Sequence, residues 1–315
     1  MKTKALLLAL ALLLTVVALA LAQEDEPPPP GSVILSDEQG EYRLGPHLEI
    51  LEDPSGELTI QEVTSPEFEG QFTPSQVATP GFGFTQSAYW VRFHLKNETR
   101  QTDEWRLTVG YANTQFVDLY LPAPDGEGAP GGEGFVVKRS GAMRPFGTRD
   151  IPHRLIVFNL PVPPQDEQTI YLRFQSEASM TLGLILRAPV AFVEHTQNDI
   201  LVLGLFYGVL LITLAHHIFL LYSLREASYV AYVFFLASTI LLFAEYDGLA
   251  RQYLWPGLVG GIQLMMPIFM ALFFMSIVKF SDVFLELKNK APQWHRLITL
   301  VLAVWGLFIL LQFFL

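Results

Sequence analysis

The sequence predicts an all-β, jelly-roll-like sandwich followed by an α-helical transmembrane bundle, on three observations. Apolar residues concentrate in the first 22 positions and again after residue 200, and short alternating strands fill the stretch between. The chain as a whole is 51% hydrophobic and only 16% charged, too apolar for a protein that is soluble throughout. Its 315 residues leave room for about two domains.

The N-terminus reads as a targeting signal. MKTK supplies a positive n-region and ALLLALALLLTVVALAL an apolar core. Ala20-Leu21-Ala22 then gives the small-residue cleavage pattern, ahead of acidic QEDE. Residues 1–22 are therefore expected to be a signal peptide. No lipidation cysteine follows. Pro27-Pro28-Pro29-Pro30 makes residues 23–31 a stiff spacer.

Residues 32–190 carry the pattern of a sandwich. The runs LEIL, ELTIQEV, YWVRFHL, WRLTV, FVDLYL, FVVK, RLIVFNL, TIYLRFQ and LGLILR suggest about nine strands. In YWVRFHL, Val91, Phe93 and Leu95 point one way while Trp90, Arg92 and His94 point the other. Turn chemistry separates the runs at Asp53-Pro54-Ser55-Gly56, Asp125-Gly126 and Pro163-Pro164. No stretch there shows a long helical period.

Charge and motif content exclude several classes. Residues 24–194 hold 25 of the 31 acidic residues against 12 Lys and Arg, a net charge of −13 (12 minus 25), which repels nucleic acid. The chain has no cysteine, so thiol chemistry, thiolate metal sites and disulfides are out. Nucleophile elbow, HExxH and lysine-tipped phosphate loop are all missing, so no catalytic residue, metal or cofactor is expected. GEGAPGGEGF opens no helix and reads as a hairpin loop. Asn97-Glu98-Thr99 is a glycosylation sequon with meaning only in a eukaryotic secretory pathway.

Four apolar spans follow, near 200–222, 229–248, 257–280 and 296–315, each long enough for a bilayer core of about 20 helical residues. An exported sandwich sends the first span inward. Arg225, Lys279, Lys288, Lys290 and Arg296 then lie on the cytoplasmic side, with Arg251 outside, as the positive-inside rule requires. The fourth span runs to Leu315 without a polar flank, so residues 199–315 are expected to hold the first four helices of a bundle that is cut off before its end. A transporter with an accessory exported binding domain is the rival, but Pro267 alone breaks a span and no inverted repeat is visible.

The blocks LEILEDPSGELTIQEV, SAYWVRFHLKN, WRLTVGY, FVDLYLP and RLIVFNLP follow one another in order. With LGLFYGVLLITLAHHIFLLYSLREASYVAYVFF and DGLARQYLWP they resemble the seven-transmembrane receptors with diverse intracellular signalling modules, bacterial proteins, and their type 2 extracellular domain. Where many relatives carry a Thr-Gly-Asp-like turn, this chain has Arg139-Ser140-Gly141. The resemblance implies a receptor of the bacterial inner membrane. Its periplasmic sandwich, similar to carbohydrate-binding modules, would sense a small molecule, a sugar among the candidates. The helices would pass the signal to a cytoplasmic diguanylate cyclase or histidine kinase beyond this sequence. Expected partners are that ligand, the lipid bilayer and a second copy, through the helices or the output module.

Ligand chemistry can be sought in the residues themselves. A sugar site needs an aromatic face with rigid donors and acceptors beside it. Trp90, Arg92 and His94 share a strand face and supply both; the alternative is that Trp90 is a core aromatic and Arg92 ties strands together. Trp105, Tyr111, Asp118 and Tyr120 form a second set. Arg144, Arg149, His153 and Arg154 make a basic cluster that suits an anion or balances nearby carboxylates. Adjacent His216 and His217 diverge by about 100° on a helix and cannot grip one metal ion together. Asp199, Glu245 and Asp247 fall near external helix ends, where carboxylates can reach water.

Overall fold

A computed structural model describes residues 32–123, 134–177, 179–259 and 262–311. The signal peptide, the spacer and positions 126–133 of the glycine-rich segment lie outside the described residues, as does Asp125-Gly126.

Two sheets form the sandwich. The larger runs in the order β4 (Thr73–Pro74), β3 (Glu49–Asp53), β6 (Ala88–Asn97), β11 (Glu167–Gln175), β8 (Phe116–Pro122) and β9 (Phe135–Ser140). A short β1 (Val33–Leu35) lies parallel to the end of β6. The smaller sheet has the order β10 (Ile156–Pro161), β7 (Glu104–Val109), β13 (Leu184–Arg187) and β2 (Glu41–Arg43). A two-stranded ribbon joins β5 (Gly81–Gly83) to β12 (Met180–Thr181). Apart from β1 every pairing is antiparallel.

Strict alternation builds the core. Tyr89, Val91, Phe93 and Leu95 of β6 meet Ile170, Leu172 and Phe174 of β11 and Trp105, Leu107 and Val109 of β7 between the sheets. With no disulfide, this interlocked apolar layer carries the stability of the sandwich. At the first turn the Asp53 carboxylate accepts from Ser55, Gly56 and Leu58, and Gly56 takes a positive φ.

One predicted strand is corrected. In ELTIQEV, Ile60–Val63 form a short helix, α1, followed by α2 (Pro66–Glu69). Thr59 and Glu62 make a capping box in which each side chain accepts from the other's backbone N–H. Ile60 and Val63 turn inward onto the outer face of the larger sheet and cover part of it.

The helical region begins earlier than the hydropathy implies. Helix α3 spans Pro189–Leu224, so the stretch between the sandwich, expected to end at 190, and the helices, expected from 199, forms its first turns. Helix α4 covers Ala227–Tyr246 and α5 Ile262–Phe284. These three are long and apolar enough to cross a membrane. A short α6 (Leu287–Lys290) and α7 (Pro292–Leu311) follow. A π-helical turn, Ala250–Leu254, lies between α4 and α5.

Candidate functional site

Strand register arranges the outer face of the larger sheet into rows. Leu51, Trp90, Arg173, Asp118 and Arg139 form one, and Glu49, Arg92, Tyr171, Tyr120 and Val137 the next. His94 pairs with Thr169, and Pro122 with Phe135, one step further along.

Trp90, Arg92 and His94 do share this face, in unequal surroundings. Trp90 is 0% exposed, packed among Leu51, Ile60, Val63 and Phe72 beneath α1 and α2, with its ring 5.2 Å from Tyr120. It is a core residue, of this second cluster rather than of the layer between the sheets. Arg92 donates from Nε to Glu49 at 2.6 Å and from Nη2 to the Glu69 carbonyl at 3.2 Å, and lies 4.3 Å from the Phe72 ring centre. Its guanidinium thus ties β6 to β3 and to the end of α2. His94 Nδ1 lies 2.8 Å from the Thr169 hydroxyl.

Beside that row the face stays open. A groove of about 650 Å³ is floored by Tyr171, Thr169 and Phe135 and walled by Thr64, Pro163, Asp166, Glu167 and Gln168. The Phe135 and Tyr171 rings stand nearly perpendicular, 6.0 Å apart. The Asp166 carboxylate accepts from the Glu167 N–H and from Gln168 Nε2 at 2.7 Å. Among the described residues, no lysine or arginine lines this groove. A second depression of about 560 Å³ lies beside β3, among Glu52, Gln71, Gln76, Phe82 and Tyr89.

The other sequence candidates separate. Trp105 is buried in the main core against Tyr42, and Asp118 pairs with Arg144. Asn97 of the sequon is buried too; its amide donates to the Thr102 and Val162 carbonyls, and its oxygen accepts from Thr99. His217 bonds to the Thr213 carbonyl of its own helix and packs on Tyr232, and among the described residues no cluster could hold a metal.

Arg149 and Arg154 meet where the sandwich rests on the helices. Arg149 is buried and donates to the carbonyls of His153, Arg154 and Leu155, its guanidinium 4.7 Å from the Phe146 ring centre. Burial, with Arg251 nearby, holds it down to about 10. Burial first, then Arg154, pushes His153 down to about 4. Arg154 bonds to the Asp199 carboxylate of α3 and to the Asp247 carbonyl just past α4. Arg251 reaches the Ala142 carbonyl and lies 3.8 Å from Glu245, whose carboxylate also accepts from the Trp255 indole. Asn113 donates to the Glu245 carbonyl and the Phe146 N–H to the Pro256 carbonyl. The sequence singled out most of these charged side chains but could not show that they belong to one seam.

A β-sandwich fixed by such a seam to helices long and apolar enough to cross a membrane defines a membrane protein with a folded domain outside the bilayer. The chain belongs to the seven-transmembrane receptors with diverse intracellular signalling modules. Residues 45–187 match the family's extracellular domain, described as 7TMR-DISM extracellular 2, and residues 199–315 match 7TM diverse intracellular signalling. The sandwich is therefore the extracellular segment. No curated protein matches the chain. Among solved structures, the GH31 alpha-xylosidase Xac1773 from Xanthomonas citri is 10% identical over 45% of this chain and 16% of that one, with a TM-score of 0.19. The chain spans a small fraction of that enzyme, and so slight a likeness carries no argument.

Proposed function

We propose that the sandwich receives a small polar ligand in the periplasm of a bacterium and that the helices relay its arrival to a cytoplasmic output module. Carbohydrate stands ahead of an anion as the ligand. The observation that carries this reading is the open groove beside Tyr171. Its aromatic floor offers faces to sugar C–H groups, and Thr169, Gln168 and Asp166 offer hydrogen-bonding atoms beside them. The carboxylates of Asp166 and Glu167, with no cation among the lining residues, disfavour an anion. Of the residues singled out in the sequence, His94 stands nearest, through Thr169.

The relay reading rests on α3, which leaves the sandwich one residue after β13 and continues as one helix into the membrane. A change in the sandwich therefore reaches the bilayer without a flexible linker between them.

Titration of the full chain in detergent against neutral disaccharides and their acidic counterparts tests the ligand assignment. Stacking contributes about 0.5–1.5 kcal/mol, so Tyr171→Ala should weaken sugar binding by up to roughly tenfold. Glu167→Gln, on an exposed strand position, checks the groove without touching the core. Binding of no neutral sugar, or binding that both variants leave intact, would remove the groove from the account.

A further inference from the structure

We infer that Arg154 couples the sandwich to the membrane, holding the external ends of α3 and α4 at one spacing through its two-pronged guanidinium. This inference rests on the relay reading above and names the device that would perform it. One terminal nitrogen, Nη2, bonds to the Asp199 carboxylate on α3; the other, Nη1, donates 3.1 Å to the Asp247 carbonyl at the end of α4. The main chain of the same residue is held in the sandwich, because the Arg154 carbonyl accepts from Arg149. One residue thus joins the sandwich, through its main chain, to α3 and α4, through its side chain.

Two neighbours fix the geometry. The Asp247 carboxylate accepts from the Tyr207 hydroxyl of α3 at 2.7 Å, a second tie between the same two helices. Gly248 follows with φ +78°, and a Cβ there would lie 2.4 Å from the Arg154 carbonyl oxygen. Glycine is therefore what lets the α4 end approach the loop that carries Arg154. The Arg154–Asp199 pair is only partly exposed, with side chains 14% and 26% accessible, so it is less screened than a surface pair.

Arginine is needed for its shape as well as its charge. A planar fork satisfies a carboxylate and a carbonyl that lie in different directions, whereas a lysine ammonium is a compact point charge. Loss of the fork would leave the Tyr207–Asp247 bond as the remaining tie here between α3 and α4, so their spacing would loosen while the sandwich stays seated through Arg251 and Asn113.

The chain has no cysteine, so spin labels can be placed without background. Val202→Cys on α3 and Tyr253→Cys in the π-helical turn lie at sites 65% and 70% exposed. Their separation would be measured by pulsed electron spin resonance on the full chain in lipid nanodiscs, without ligand. The parent should give one narrow distance distribution. Arg154→Ala and Arg154→Lys should both at least double its width, and Arg100→Ala, far out on the sandwich surface, should leave it alone. If Arg154→Ala fails to fold, Asp199→Asn decides by the same criterion. A lysine variant as narrow as the parent would overturn the fork, and an alanine variant as narrow as the parent would overturn the coupling altogether. A broad distribution in the parent would do so as well. Because no ligand is present, these outcomes stand apart from success or failure of the sugar titration.

Discussion

Trp90 and Arg92 alternate with core residues on β6, and that alternation was readable in YWVRFHL. What lay on the far side of the strand was not. Trp90 is sealed by Ile60 and Val63, which come from a segment whose branched residues suggest a strand while Thr59 and Glu62 cap a helix. The Thr-x-x-Glu spacing was the available signal, and the strand propensity of the flanking residues masked it. Trp90→Ala should cost about 3–5 kcal/mol in a thermal or chemical melt, with the cavity left under the cap as the cause. Thr59→Ala removes only the box and should cost about 1 kcal/mol by the same measurement. His153 sets a pH dependence. Its folded value of about 4 lies below the ordinary 6.5, and its Nδ1 accepts from the Leu155 N–H, so protonation opposes the folded seam. Its contribution to stability is complete above pH 6.5 and is lost as pH falls from there towards 4. Melts across that range should show the loss, and His153→Gln should flatten this part of the profile.

At the scale of elements, hydropathy located three helices long and apolar enough to cross a membrane, but not where the first of them begins. The first turns of α3 carry Glu194, His195, Gln197, Asn198 and Asp199, too polar to count towards an apolar span. They are helical because Pro189 opens the helix and Phe192 packs against His153. The seam was legible only as scattered charges. Arg154 and Asp199 are far apart in the chain, and nothing in a single sequence pairs them. The continuous stem makes a mechanical prediction. His195→Pro should break the helix there, by about 3 kcal/mol or more locally, and leave the strands paired. Circular dichroism would then keep its β contribution, while hydrogen exchange in residues 189–199 would rise well above the parent. Unchanged exchange in that stretch would show that the stem bears no load.

Over the whole molecule, one seam of buried charges and carbonyls joins the extracellular sandwich to the ends of α3 and α4. The order of the two parts and their class were readable from the chain, because a period of two gives way to long apolar runs. The seam between them was not, since it is built from carbonyls and buried charges. The account stands on the sandwich facing outward and the α5–α6 region facing the cytoplasm. Single cysteines at Phe84, 85% exposed on the sandwich, and Leu285, 52% exposed beyond α5, test that arrangement in an otherwise cysteine-free chain. With a membrane-impermeant maleimide applied to intact bacterial spheroplasts, Phe84→Cys should be labelled at once and Leu285→Cys only after lysis. Labelling of Leu285→Cys before lysis, with Phe84→Cys protected, would contradict the account.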